Sequence, residues 1–192
     1  AKRAGRESKY EVKVLTSNEE SDNHLCSLLQ SHSVSFFRGD LENVLNRYVS
    51  AFTDYSDTTI IVRLTADNIF PDSAFIKSVI DQFIDQRLEY LCANGRGSGL
   101  PYGVSLEVTT LEKLREAAKS TTSHFDQEHV TPYVRRKYGD TYYKFNAKKE
   151  LGCLRCTIDS FDDYVRMTSL LSGFGDPVTA TTNDLIDALS IK

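Results

Sequence analysis

The sequence predicts an α/β protein of three layers, α/β/α, with a mostly parallel sheet between two layers of helices. Short apolar segments typical of strands alternate along the chain with longer segments whose apolar residues recur at helical spacing. The β-branched run Ile60–Val62 is typical of a strand buried on both faces of a parallel sheet. Asp67 and Asp159 each follow a predicted strand, at the edge where open α/β sheets bind their ligands.

The composition is that of an ordinary globular protein. The 192 residues are 40% hydrophobic and 26% charged, enough for one domain with a full-sized core. A net charge of −4 gives no general attraction for nucleic acid. No apolar run approaches the roughly 18 residues of a membrane span, and no signal-peptide pattern is present. We expect a single domain over residues 1–192 that binds neither nucleic acid nor membrane.

Four scattered cysteines favour a reducing compartment over a disulfide scaffold, and we therefore expect a cytoplasmic protein. Cys153 and Cys156 form a C-x-x-C, but no second pair of cysteines or histidines lies at chelating spacing. Residues three apart on a predicted strand also point to opposite faces. We interpret both residues as core cysteines instead of zinc ligands.

Strands and helices are predicted in alternation. The strands are expected at 10–16, 33–38, 58–65, 88–92, 103–109, 141–147 and 154–158. The helices are expected at 23–31, 41–53, 73–86, 111–119, 123–137, 161–171 and near 183–189. Ser17 is an expected N-cap with Glu20 completing a capping box, and Thr110 is another expected N-cap. The Gly-x-Gly-x-Gly of residues 93–102 is interpreted as a loop, because it precedes a strand instead of opening a helix.

Residues 1–9 are predicted to be the end of a helix that leads into the first strand. A doubly wound domain normally opens with a strand, so we expect the first β-α unit to be missing and the domain to be incomplete at its N-terminus. The sequence leaves open whether that unit lies upstream or has been lost.

Asp67 and Asp159 could share one Mg²⁺. This ion prefers one or two carboxylates together with waters and substrate phosphates. Such a site suits nucleotidyl transfer, because the metal offsets the charge of a nucleoside triphosphate. The alternatives are that Asp67 caps the next helix or braces Arg63, and that Asp159 caps the helix at 161–171.

Five ordered segments resemble those of one known family. They are 14–18 (VLTSN), 37–48 (FRGDLENVLNRY), 63–68 (RLTADN), 127–133 (QEHVTPY) and 154–160 (LRCTIDS). In these segments the chain resembles the cytidylyltransferase family that includes CMP-KDO synthetases, and most closely its spore-coat polysaccharide biosynthesis branch.

The resemblance implies a nucleotide-diphosphosugar-transferase fold, a homodimer, and a reaction of CTP with a sugar acid or related sugar that gives a CMP-sugar and pyrophosphate. It implies Mg²⁺ held by Asp67 and Asp159, with Arg63 as a further catalytic residue. The residues expected on the nucleotide side are Ser17, Asn18 and Arg63. The residues expected toward the sugar are Glu107, Glu128, His129, Tyr133 and Arg135. We expect the dimer contact near residues 141–147.

Two departures from the family pattern keep other functions open. The phosphate-binding loop that the resemblance implies would precede residue 1, and Ser105 stands where the family usually has Asp. The chain could be a catalytically silent binding or assembly domain of the same fold, or a glycosyltransferase of similar fold. Glu128 and His129 could simply stabilise their helix, and residues 135–137 could be a charge cluster at a helix C-terminus.

Overall fold

The predicted α/β class is confirmed by the computed structural model, which describes residues 1–7, 10–145 and 151–190. The strands are β1 Lys13–Ser17, β2 Ser35–Gly39, β3 Ile60–Arg63, β4 Tyr90–Ala93 and β5 Leu106–Thr110. β1 and β2 pair in parallel, with Lys13 opposite Ser35 and Ser17 opposite Gly39. The other three strands form a sheet in the order β3-β5-β4, so β5 is central.

The helices alternate with these strands along most of the chain. They are α1 Asn23–Ser31, α2 Val44–Ala51, α3 Ser73–Asp85, α4 Gly95–Ser98, α5 Leu111–Ser120, α6 His124–His129, α7 Pro132–Tyr138, α8 Phe161–Leu171 and α9 Thr182–Ser190. A 3₁₀ turn at Glu20–Asp22 precedes α1. In the part of the chain that the structure covers, no helix combines the length and the apolar character that crossing a membrane requires.

The described residues form two compact units, divided within β3 and within β5. The first comprises residues 10–61 and 109–140, and the second comprises residues 2–7, 62–108, 141–145 and 151–190. Each unit has its own buried apolar side chains. Those of the first include Leu45, Leu111, Leu114, Val130 and Val134; those of the second include Phe70, Val79, Tyr90, Leu91, Leu100, Val104, Leu106, Met167 and Leu185.

In the first unit, the glycine that ends β2 makes room for a buried arginine. A Cβ on Gly39 would lie 2.8 Å from Cγ of Arg47. The Arg47 guanidinium donates hydrogen bonds to the carbonyls of Asp40 (2.8 Å), Leu41 (2.8 Å) and Leu15 (3.3 Å). The 37–48 segment of the family resemblance therefore has a structural role at the end of the β1–β2 pair, because Arg47 links β1 to the loop that follows β2.

In the second unit, residues from both ends of the chain hold the segment at the start of α3. Asp72 is its N-cap and accepts a hydrogen bond from the Phe75 N–H at 2.9 Å. The Thr182 hydroxyl, at the start of α9, donates to Asp72 at 3.0 Å. Arg3 donates to the Phe70 carbonyl at 2.7 Å. The loop that leads from β3 into α3 is thereby fixed before it reaches the helix.

Several predicted elements are wrong in detail. The helix expected at 123–137 is interrupted between α6 and α7, where Val130 has φ of +72°. Pro132 follows as the first residue of α7, the position at which proline costs a helix no hydrogen bond. The loop expected at 93–102 contains the short helix α4.

Two of the predicted strands are mostly absent. The segment at 154–158 makes only isolated bridges, Arg155 with Tyr102 and Thr157 with Asn68. Within the described part of 141–147, only Tyr142 is bridged, to Cys92; residues 146 and 147 lie outside the described residues. These segments pair with loops and with one residue of β4 instead of with a full neighbouring strand.

Of the two predicted N-caps, one is wrong and the other is correct in position. Ser17 caps no helix: it ends β1, and Glu19 precedes the 3₁₀ turn. Thr110 does stand at the N-cap of α5, but its side chain makes no capping bond and its buried Oγ1 has no partner among the described residues. Residues 2–7 form turns, not a helix end, and residues 8 and 9 lie outside the described residues.

The described cysteines form no disulfide. Cys26, Cys92 and Cys156 are buried, as expected for core cysteines, whereas Cys153 is exposed and that interpretation of it is wrong. Burial raises the pKa of the Cys156 thiol to about 12. A thiol held neutral in this way is a poor metal ligand, since thiolates are what metals bind.

Candidate functional site

Asp67 and Asp159 converge on the hydroxyl of Thr157. The Thr157 Oγ1 lies 2.9 Å from Oδ2 of Asp67 and 3.3 Å from Oδ1 of Asp159. The two carboxylate oxygens are therefore no further apart than the sum of these two distances. A hydroxyl has a single proton, so it can donate to only one carboxylate at a time.

Main-chain hydrogen bonds fix this cluster. Thr157 bridges antiparallel to Asn68, and the Ile158 N–H donates to the Asp67 carbonyl at 3.1 Å. On the other side, the Cys156 N–H donates to the Tyr102 carbonyl at 2.8 Å. Each bond lies within one residue of a cluster member, so the backbone and not side-chain packing alone sets where the carboxylates lie.

A glycine permits the close approach of these segments. Gly103 has φ of +102°, in the region that residues with a side chain rarely adopt. A Cβ there would lie 2.5 Å from the Thr157 N and 2.9 Å from the Cys156 carbonyl carbon. Both contacts are with backbone, so no side-chain rotation could relieve them.

The other carboxylate oxygen of Asp159 pairs with an arginine side chain. Its Oδ2 pairs with the Arg155 guanidinium, which also lies 3.5 Å from Asp163 Oδ2 and sits over the Tyr102 ring at 5.1 Å. Asp159 does not cap α8, because Ser160 is the N-cap and forms a capping box with Asp163. Backbone hydrogen bonding from Asp159 is the main cause that lowers the pKa of Asp163.

Both alternatives for Asp67 are also wrong. The next helix, α3, is capped by Asp72, and Arg63 pairs with Glu107. Asp67 therefore stands at the end of the β3 segment with Thr157 as its hydrogen-bond partner. A carboxylate that neither caps a helix nor pairs with an arginine retains acceptor capacity for a cation.

The donor set fits magnesium better than zinc. No group of three or more His, Cys, Asp or Glu side chains is placed to hold a metal anywhere in residues 1–7, 10–145 and 151–190. A structural zinc site needs four protein ligands, whereas Mg²⁺ is commonly held by one or two carboxylates and completed by waters and phosphates. Asp67 and Asp159 present oxygens only, on either side of one hydroxyl.

Arg63 and Glu107 form a second cluster in the same unit. Arg63 Nη1 donates to Glu107 Oε2 at 2.7 Å, and the Tyr90 hydroxyl donates to Glu107 Oε1 at 2.6 Å. The family resemblance implies that Arg63 lies toward the nucleotide and Glu107 toward the sugar. The structure brings these two side chains into direct contact.

Ser17 and Asn18 lie in the first unit, at the end of β1. Asp22 Oδ2 accepts hydrogen bonds from the hydroxyls of Thr16 and Ser17, both at 2.6 Å, and from the Ser17 N–H at 2.9 Å. These bonds, that of the Ser17 side chain foremost, lower the pKa of Asp22 to about 2. The Asn18 N–H donates to the Gly39 carbonyl at 2.9 Å.

The other residues expected toward the sugar also lie in the first unit. Glu128 is 3.7 Å from His124, as a helix-stabilising contact would be, and the His129 ring lies 4.5 Å from that of Phe125. The Tyr133 hydroxyl donates to Glu116 at 3.2 Å. Arg135, Arg136 and Lys137 pair with Asp140, Asp126 and Glu116 respectively, so this run forms ion pairs within its own unit.

Thr157, Tyr90 and Asp22 were not anticipated as members of these clusters. Thr157 carries a signal in retrospect, because it lies two residues before Asp159 and so on the same side of an extended segment. Tyr90 carries none, since it meets Glu107 only through the tertiary fold. The partners of Asp22 are local, because Thr16 and Ser17 lie only six and five residues before it.

Comparison with known proteins gives consistent results. A family model described as cytidylyltransferase matches residues 2–170. An uncharacterised protein of Methanocaldococcus jannaschii is 28% identical over 182 residues, 93% of this chain and 72% of that protein. The spore coat polysaccharide biosynthesis protein SpsF of Bacillus subtilis is 27% identical over 185 residues, 92% of this chain and 73% of that protein.

A solved structure extends the similarity to three dimensions. A cytidylyltransferase from Leptospira borgpetersenii serovar Hardjo-bovis superimposes with a TM-score of 0.85 and 28% sequence identity. The match covers 98% of this chain and 80% of that one.

Proposed function

The chain belongs to the cytidylyltransferase family, and we propose that it is an Mg²⁺-dependent enzyme that transfers CMP from CTP to a sugar acid or related sugar. The observation that carries this proposal is the convergence of Asp67 and Asp159 on the Thr157 hydroxyl. Membership of the family supports nucleotidyl transfer in general; the nucleotide, the sugar and the metal are what we propose.

Asp67 and Asp159 would hold the Mg²⁺, which when bound offsets the charge of the triphosphate and of the departing pyrophosphate. Arg155 pairs with the second oxygen of Asp159 and so orients that carboxylate. The Thr157 hydroxyl lies within hydrogen-bond distance of both acidic side chains. Arg63 supplies a fixed positive charge in the same unit, suited to phosphate oxygens.

We place the reaction in the synthesis of a surface polysaccharide. The support is the similarity to the Bacillus subtilis spore coat polysaccharide biosynthesis protein, which is moderate in identity but extends over most of the chain. The homodimer implied by the family resemblance stays a prediction.

Pyrophosphate release tests the proposal. The protein is incubated with CTP, Mg²⁺ and each of a panel of sugar acids, and pyrophosphate is measured by a coupled assay. We expect release only when CTP, metal and one of the sugars are all present. Asp67→Asn and Asp159→Asn should each lower the rate by at least about a hundredfold, the scale of losing a preorganised charge contact.

Asp81→Asn is the matched control, because Asp81 is an exposed acid of the same unit that pairs with Lys77 on its own helix. It should leave the rate unchanged. Release that persists in both site variants, or without divalent cations, would refute the metal-dependent reaction. CTP binding without turnover across the panel would favour the silent domain.

A further inference from the structure

Three polar side chains form a row across the three-stranded sheet. Tyr90 lies on β4, Glu107 on the central strand β5 and Arg63 at the end of β3. Glu107 accepts from both neighbours, with Oε1 toward Tyr90 at 2.6 Å and Oε2 toward Arg63 at 2.7 Å. One carboxylate thus connects all three strands on one face of the sheet.

The row is largely shielded from water. The side chains of Arg63 and Glu107 are 20% and 11% exposed, and Tyr90 is 1% exposed. Partial burial strengthens hydrogen bonds to ionised groups and limits the rotamers that each side chain can adopt. Arg63 is therefore fixed in direction at the point where β3 ends, four residues before Asp67.

Arg63 uses little of its donor capacity in this row. A guanidinium has five N–H donors, and within the described residues that of Arg63 makes a single hydrogen bond, through Nη1. None of its nitrogens is both fully buried and without a partner. The remaining donors can therefore be reached by a ligand, and their planar fork matches the oxygens of a phosphate.

We propose that Glu107 and Tyr90 are positioning residues that aim the open donors of Arg63 at a phosphate oxyanion. This inference rests on the proposed function for the identity of that anion, the phosphates of CTP or the pyrophosphate product. It replaces the expected sugar contact of Glu107 with a different role: Glu107 acts through Arg63 and need not touch a substrate.

The direction in which one substitution changes the affinity for an anion separates positioning from simple electrostatics. Glu107 is negative, so removing it should favour anion binding if its charge were its only influence. If instead it holds Arg63 in place, removing it should weaken anion binding, because Arg63 loses its preferred direction. Glu107→Gln can keep both contacts, with its oxygen toward Arg63 and its amide group toward the Tyr90 oxygen.

The test is calorimetric titration of the protein with inorganic pyrophosphate. We expect Glu107→Ala to raise the Kd about tenfold, and Tyr90→Phe to raise it a few-fold, the scale of losing one or two hydrogen bonds. Glu107→Gln should bind within about twofold of the unsubstituted protein. In an Arg63→Met background, where binding is already weak, Glu107→Ala should cause no further loss.

Tyr143→Phe is the matched control for Tyr90→Phe. It removes a part-buried phenol hydroxyl of the same unit, 3.1 Å from Ser78, and should leave the Kd unchanged. Unchanged or tighter binding by Glu107→Ala would overturn the inference, as would equal losses with and without Arg63. If Glu107→Ala does not fold, Tyr90→Phe decides, and a Kd equal to that of the Tyr143 control would refute positioning.

These results are separable from those on the proposed function. Pyrophosphate binding needs neither a sugar nor turnover. If the protein releases pyrophosphate from CTP but its Glu107 variants bind pyrophosphate normally, the proposed function stands and this inference is refuted. If Arg63 binds pyrophosphate in a way that depends on Glu107 but the protein turns over no CTP, only the proposed function is refuted.

Discussion

At the scale of single residues, the candidate site depends on the side chain of Thr157. Two carboxylates near each other repel when both are ionised, and a shared hydroxyl relieves one of them at a time. Thr157 is 1% exposed, so water does not substitute easily for its hydroxyl. In the proposed function, a divalent cation bound here would satisfy both carboxylates together.

Thr157→Val tests this role. The change preserves the β-branched shape and removes the hydroxyl, so the two carboxylates lose their common anchor. We expect the Kd for Mg²⁺, measured by calorimetry in the presence of CTP, to rise about 10- to 100-fold, as for other residues that orient metal ligands. Thr157→Ser keeps the hydroxyl and should bind nearly normally. A Val variant that binds Mg²⁺ as tightly as the Ser variant would show that the hydroxyl is dispensable.

Asp22 supplies a prediction on pH. Its pKa in the folded protein, about 2, lies below the unfolded value of about 3.9. Its contribution to the free energy of unfolding is therefore complete above about pH 4 and is lost as the pH falls toward 2. Urea unfolding of the protein and of Asp22→Asn should show a stability difference that is constant from pH 7 to about 5 and shrinks below about 4. A difference that stays constant down to pH 2.5 would contradict it.

At the scale of elements, regular local patterns were predicted well and paired segments were not. The bounds of α8 were predicted at 161–171, because its apolar spacing is a local signal. Its cap was not predicted, since Asp159 was considered for that position and Ser160 occupies it. The strand expected at 154–158 fails, because its partners are Tyr102 and Asn68, single loop residues that no local pattern identifies. The prediction also missed the break at Val130, since helical periodicity continues through it.

Gly103 gives a prediction at this scale, because it joins two segments. Gly103→Ala would add a Cβ against the Thr157 backbone at a positive φ. Gly139→Ala is the matched control: its φ is +97°, and nothing lies within 4 Å of the added Cβ. We expect the control to lose about 1–3 kcal/mol of unfolding free energy from backbone conformation alone, and Gly103→Ala to lose at least about 2 kcal/mol more than the control. Equal losses in urea unfolding would mean that the close approach is unimportant.

At the scale of the whole molecule, the general location of the acidic pair was predictable and its chemistry only in part. The rule that ligands bind at the carboxyl ends of strands pointed to Asp67 and Asp159 although 92 positions separate them in the sequence. The partners of Arg63 were not predictable, because Glu107 and Tyr90 reach it only through the strand order β3-β5-β4. That order is a property of the fold and not of any one segment.

The net charge of the chain bears on how it could bind a nucleoside triphosphate. At −4, the molecule as a whole repels a nucleoside triphosphate. In the proposed function, favourable binding would come from local positive charge, from Arg63 and from a divalent cation on the acidic pair. Metal dependence is consequently the property that separates the proposed enzyme from a protein that merely has the same fold.

The most direct measurement is calorimetric titration of CTP into the protein with Mg²⁺ and, separately, with EDTA. We predict saturable heat with Mg²⁺, a Kd at least about tenfold weaker with EDTA, and loss of this difference in both Asp67→Asn and Asp159→Asn. CTP binding that is equally tight with and without the metal, or that keeps its metal dependence in both variants, would contradict the claim that these two carboxylates hold the ion.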